Sequence, residues 1–355
     1  MGRLTVGRMF VHPAFDYLVI GGGLSLPVVA LVLLNGVSIG GPGPLLGAPA
    51  ALFAALFIVS NNAHFAASSL RLYTRPGAVR QWPVLTLGAP VLAVALVSGA
   101  IALPEPAGFS LWILFQLWVP YHYSGQAYGL AAMYAYRSGA ELEPLERRLL
   151  RWACFMPFAW SLFQLQGPTG QVLKALGYPD IPLLGPARAW ASGGLAAVAL
   201  ALPLGVFAYL VWRRRVALPA ICLLLTATNA VWWVLLMPRE AFVWATVFHG
   251  LQYLAIVTIF HVKERVRAPG NARGALAHVL VFYGANVVVG YALFELWPKL
   301  YGLAGYDMHK SILLVAAIVN VHHFLVDAYI WRLRRDPNYR TVVDTADSRA
   351  ATVPA

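Results

Sequence analysis

Apolar residues run along this chain in blocks of about 20, the length a helix needs to cross a bilayer at 1.5 Å per residue. The blocks fall at roughly 15–38, 46–70, 82–103, 109–136, 148–166, 188–212, 216–237, 241–262, 274–297 and 311–332. The pattern predicts an all-α protein, a polytopic transmembrane bundle of about ten spanning helices. Basic residues alternate between the connections. Arg3 and Arg8, then Arg71, Arg75 and Arg80, then Arg137, Arg147, Arg148 and Arg151, then Arg213 to Arg215, Lys263 to Arg267, and Arg332, Arg334 and Arg335 fall on one side. The opposite connections (40–47, 104–106 and 238–240) carry few. The positive-inside rule therefore places both termini in the cytoplasm, as an even helix count requires. Residues 1–335 read as a single transmembrane domain. Residues 336–355 are polar and aperiodic, and read as a disordered cytoplasmic tail. The connection 166–187, with Pro168, Pro179, Pro182 and Pro186, is the longest on the outer side. The first apolar block shows no cleavage signal and is expected to stay as an anchor. The expected home is a bacterial-type inner (plasma) membrane.

Composition agrees with this pattern. Of 355 residues, 60% are hydrophobic and 11% charged, against about a quarter charged in soluble domains. The net charge of +12 sits in short loops, where it sets orientation, so no nucleic-acid partner is expected. Cys154 and Cys222 lie in apolar blocks without CxxC spacing and read as small buried hydrophobes. Gly21-Gly22-Gly23 does not complete a GxGxxG nucleotide loop and reads as close helix packing.

The informative positions are the polar exceptions inside apolar blocks, because ionisable groups at membrane depth are costly and usually face the protein interior. The last block carries Asn320, His322, His323 and Asp327. On a helix Asn320, His323 and Asp327 form one stripe at i, i+3 and i+7, while His322 points about 100° away. The second block has a stripe of Ser60, Asn61, His64, Ser68 and Arg71. The fourth has Tyr121, His122, Tyr123 and Gln126, with Gly125 and Gly129 spaced for close approach. The eighth has His249, Gln252 and Tyr253. All four blocks are even-numbered and run from outside to inside. Helical rise puts His64 roughly 9 Å, His122 and His249 roughly 20 Å, and His322 and His323 roughly 15 Å from the inner ends. These depths allow one shared layer.

Neutral imidazole brings a nitrogen to iron, copper or zinc without burying a charge. His64, His122, His249, His322 and His323 are therefore the candidate metal ligands. Adjacent side chains diverge, so only one of His322 and His323 is expected to bind a given ion. Asp327 can supply a carboxylate, fix a histidine tautomer or deliver protons, and it stands with Tyr121 and Tyr253 as a candidate catalytic group. Asn61, Gln126, Gln252 and Asn320 are candidate hydrogen-bonding partners of the bound cofactor. The bland reading of any one membrane histidine is a hydrogen bond to a neighbouring helix; four such helices at similar depth favour a shared site. His261, His278 and His309 lie near helix ends and read as interfacial. His12, with Pro13 and Asp16, sits at the cytoplasmic edge.

With this size, helix count and set of intramembrane histidines, the chain resembles the His-rich integral membrane oxygenases, most nearly the Brp/Blh group of bacterial β-carotene cleavage enzymes. The resemblance is one of architecture over most of the chain. It implies non-haem iron, O₂-dependent chemistry and a lipid-soluble substrate, with His64, His122, His249 and one of His322 or His323 as iron ligands. The HxxxH and HxxHH boxes of membrane desaturases are absent. The expected function is a membrane metal oxygenase acting on an isoprenoid, carotenoid or fatty acyl substrate that enters from the lipid bilayer, with copper in place of iron and an electron donor as open variants. The alternatives are a noncovalent haem protein for electron transfer, with His122 and one of His322 or His323 as axial ligands, and a proton-coupled transporter using His and Asp327 as a relay.

Overall fold

The computed structural model describes residues 4–35, 50–164, 170, 174, 184–213, 215, 217–239 and 242–331. The expected tail 336–355, the connection 40–47 and most of 166–187 lie outside the described residues. What is described is almost wholly helical: α1 (Pro13–Ile20), α2 (Ser25–Asn35), α3 (50–73), α4 (Val84–Ala102), α5 (Phe109–Arg137), α6 (Pro144–Ser161), α7 (Gly185–Arg213), α8 (Ala220–Leu236), α9 (Phe242–Val266), α10 (Ala275–Leu303) and α11 (Met308–Ile330). Two short strands, β1 (Leu4–Thr5) and β2 (Leu218–Pro219), pair in parallel.

Five of these helices, α4, α7, α9, α10 and α11, are long and apolar enough to cross a membrane; α1 and α2, bent by 46°, make a sixth if they count as one span. α8 is apolar but shorter. α3, α5 and α6 are helical where spans were expected but fall outside that set. Each is diluted by polar residues: Ser60, Asn61, Asn62, His64 and Ser68 in α3, Tyr121, His122, Tyr123 and Gln126 in α5, and Glu146 with Arg147, Arg148 and Arg151 in α6. Length and apolarity therefore identify a membrane-type helical protein.

The chain divides into two compact units, one from 1–41 and 120–245, the other from 42–119 and 246–331. In the first, the N-terminal segment is tied down. The buried Asp16 carboxylate accepts from the backbone N–H groups of Phe10 (2.6 Å), Val11 and His12 (3.2 Å each) and from the Tyr134 hydroxyl (2.7 Å). Arg137 donates to the Met9 carbonyl and lies 4.7 Å over the Phe10 ring. His12 caps α1, its Nδ1 accepting from Ala14 N–H. Cys154 and Cys222 are buried free thiols, and the Cys222 thiol donates to Ala131 O. A Cβ at Gly21 would lie 2.9 Å from Leu224, so this glycine does serve close packing.

In the second unit, α3 meets its neighbours backbone to backbone. A Cβ at Gly250 of α9 would stand 2.9 Å from Ser60 O, and one at Gly290 of α10 would stand 2.5 Å from Asn62 O. No side chain fits at either place, and this close approach is the usual role of glycine between membrane helices. At the same level α3 winds through a π-helical turn, Ile58–Asn62, where Ala63 N–H reaches back to Ile58 O. Such turns leave carbonyls needing other donors; the Tyr283 hydroxyl of α10 supplies one to Val59 O at 2.7 Å. An apolar cluster of Phe65, Val97, Ala100, Leu314, Val315 and Ile318 joins α3, α4 and α11.

Candidate metal centre

Three helices of the second unit deliver the site. α3 brings His64, α9 brings His249 and Tyr253, and α11 brings His323 and Asp327. All five side chains are buried. The His64 ring centroid lies 5.4 Å from that of His249 and 5.0 Å from that of His323, with interplanar angles of 89° and 88°. Tyr253 sits 5.0 Å from His323 and 5.7 Å from His64. Around His64 the imidazole rings pack edge to face at these distances.

A hydrogen bond fixes the tautomer of His64. His64 Nδ1 lies 2.5 Å from Asn61 O. A carbonyl only accepts, so the proton is on Nδ1 and the lone pair on Nε2. His323 Nδ1 lies 3.0 Å from Ser68 Oγ. The Ser68 hydroxyl also lies 3.2 Å from Phe65 O. On the other side of the ring His323 Nε2 lies 3.5 Å from Asp327 Oδ2, while Asp327 Oδ1 accepts from the Tyr253 hydroxyl. Trp331 adds a side-chain hydrogen bond to the same carboxylate. A proton or a metal ion between His323 Nε2 and Asp327 Oδ2 would satisfy both atoms. Ligand atoms on one tetrahedral ion are about 3.4 Å apart, close to the distance seen.

The other candidates are placed as follows. His322 is half-buried, is not among the ring contacts of this group, and its Nε2 has no hydrogen-bond partner among the described residues. The helix therefore sorts the adjacent pair as its 100° turn requires. Asn320 donates to Ala316 O within its own helix, 2.8 Å away. Asn61 contributes its backbone carbonyl rather than its side chain. Gln252 is buried on α9 beside Tyr253. Tyr121, His122 and Gln126 belong to the part of α5 in the first unit. There Tyr121 is largely exposed and packs edge-on against Phe155 and Phe158, and His122 meets the edge of Tyr123. His261 is buried and stacked 4.0 Å over Phe282, His278 bonds Asn271, and His309 is exposed.

Two residues of weight were not singled out as site groups by their spacing. Ser68 is the group that orients His323. Arg71, counted above as a loop charge, is fully buried. It pairs with Glu264 at 3.8 Å and lies 5.7 Å and 5.8 Å over the rings of Phe260 and Trp331. Both sit on the His64 stripe, at i+4 and i+7, and that register is the signal that marks them.

No protein-family model matches the sequence, and neither curated proteins nor solved structures match it.

Proposed function

We propose that this protein is a membrane-embedded, metal-dependent oxidoreductase of the oxygenase type, acting with O₂ on a lipid-soluble substrate of isoprenoid, carotenoid or fatty acyl class. The observation that carries the metal reading is the buried pair His323 Nε2 and Asp327 Oδ2, 3.5 Å apart, with Ser68 on the far nitrogen and Tyr253 on the far oxygen. His323 and Asp327 are the residues that would hold the ion, with His64 and His249 packed beside them. Bound iron, or copper, would supply the redox chemistry and positions open to O₂. The chain's own groups do the rest. Asn61 O and Ser68 orient the imidazoles of His64 and His323, Tyr253 orients the carboxylate and holds a proton beside it, and burial keeps bulk water out. The proposal includes the ten-span topology with both termini cytoplasmic, placement in a bacterial-type inner membrane, and entry of the apolar substrate from the bilayer. The class is that of the His-rich membrane oxygenases.

The same gap also takes a proton, making a His323 imidazolium–Asp327 ion pair, and this favours a proton relay as the second reading. Metal analysis and a visible spectrum of protein purified in detergent without chelators test the proposal. Stoichiometric iron or copper without a Soret band is expected. A folded preparation that stays metal-free after incubation with excess ferrous or cuprous ion overturns it in favour of the relay.

A further inference from the structure

The first turns of α6 turn their acid inward and their bases outward. The Glu146 carboxylate is buried and accepts from the Glu143 backbone N–H at 2.8 Å, closing the start of the helix. Arg147, Arg148 and Arg151 are all exposed. None of the three pairs with a carboxylate among the described residues. At 100° per residue they cover about 100° of the helix surface, one cationic strip, and Trp152, 59% exposed, borders it. From Trp152 to Ser161 the helix carries no charge, and its outward side is aromatic. Phe155 and Phe158 are half-buried and meet the edge of Tyr121, itself 44% exposed. The Arg151 guanidinium lies 5.2 Å over the Phe155 ring, so the cationic strip runs directly into the aromatic surface.

The polarity of this face changes along the helix axis, cationic at one end and apolar beyond it. A phospholipid has the complementary order, a phosphate followed by hydrocarbon. We infer that the outer face of α6 is a binding site for an anionic phospholipid, with its phosphate on Arg147, Arg148 and Arg151 and its acyl chains along Trp152, Phe155 and Phe158. Arginine suits the phosphate because its planar fork presents paired donors. Clusters of such residues beside membrane helices attract anionic lipids. Trp152 stands between the two zones, where an indole keeps its ring in hydrocarbon and its N–H at headgroup level. An acidic protein partner would answer the arginines and leave the exposed aromatic surface uncovered. The inference rests on the membrane placement proposed above and is independent of the metal.

Thermal unfolding of the full-length protein, delipidated in detergent and supplied with phosphatidylglycerol or with phosphatidylcholine of the same chains, tests it. Phosphatidylglycerol is expected to raise the melting temperature more than phosphatidylcholine, and added salt to shrink that excess. The triple variant Arg147→Gln, Arg148→Gln, Arg151→Gln should keep the phosphatidylcholine effect and lose the excess, while Trp152→Ala should reduce the rise with both lipids. Equal rises with the two lipids, or an excess that survives the triple variant, overturn the site. An equal rise from inorganic phosphate or from a polyglutamate peptide, neither of which has acyl chains, overturns the lipid assignment. Native mass spectrometry of the unaltered protein with both lipids present decides without any variant: preferential retention of phosphatidylglycerol supports the site, and equal retention refutes it. A folded protein that enters vesicles of neither lipid refutes the membrane placement, and this site with it.

Discussion

Each unit of the protein buries one aspartate against one tyrosine hydroxyl, and the two carboxylates are supplied very differently. Asp16 receives three backbone N–H donors and Tyr134. Every neighbour is a donor, so the carboxylate is satisfied by the fold and locks the N-terminal segment in place. Asp327 receives the side chains of Tyr253 and Trp331, and its Oδ2 lies 3.5 Å from the imidazole of His323, a group that can donate, accept or bind a cation. Burial alone does not separate a structural carboxylate from a reactive one; the balance of donors and acceptors does.

Substitutions can break that contrast. The largest effect is expected from His323→Ala and Asp327→Ala, each of which should abolish stoichiometric metal, as measured by elemental analysis of the purified protein. Asp16→Ala should do the reverse. It orphans several buried donors at about 1–3 kcal/mol each, lowering the melting temperature strongly while the folded fraction keeps its metal. Ser68→Ala removes only the group that orients His323 and should weaken metal affinity by about 10–100-fold, read by competition with a chelator. Gly290→Ala forces a methyl group against Asn62 O and should cost about 1–3 kcal/mol through overpacking, seen as a lower melting temperature. His322→Ala should change metal content least of all. A large loss there would mean that the wrong member of the pair has been placed in the site.

The stripe i, i+3, i+7 on α11 and the stripe i, i+4, i+7 on α3 were legible from spacing alone, because side-chain direction on a helix is fixed by its period. So were the helical nature of the chain and the buried state of both cysteines. Hydropathy blurred the span count: Tyr, His, Asn and Gln facing inward lower the apolarity of α3 and α5 just as exposed polar residues would. The π-helical turn at Ile58–Asn62 and the backbone contacts at Gly250 and Gly290 leave no mark on a periodic pattern, since they depend on which helices become neighbours. The role of Asp16 was hidden for the same reason. Its donors come from six residues upstream and from Tyr134, 118 positions away. The separation of His322 from His323 was predicted as a divergence, but only the packing of α3 against α11 says which ring turns inward.

The most direct test is the metal content of the intact protein and of His323→Ala, both purified in detergent without chelators, loaded with excess ferrous ion and freed of unbound metal. Stoichiometric iron in the parent chain and its absence from an equally folded variant are expected. Equal iron in both, or none in the parent, would contradict the assignment of His323 and Asp327 to a metal centre.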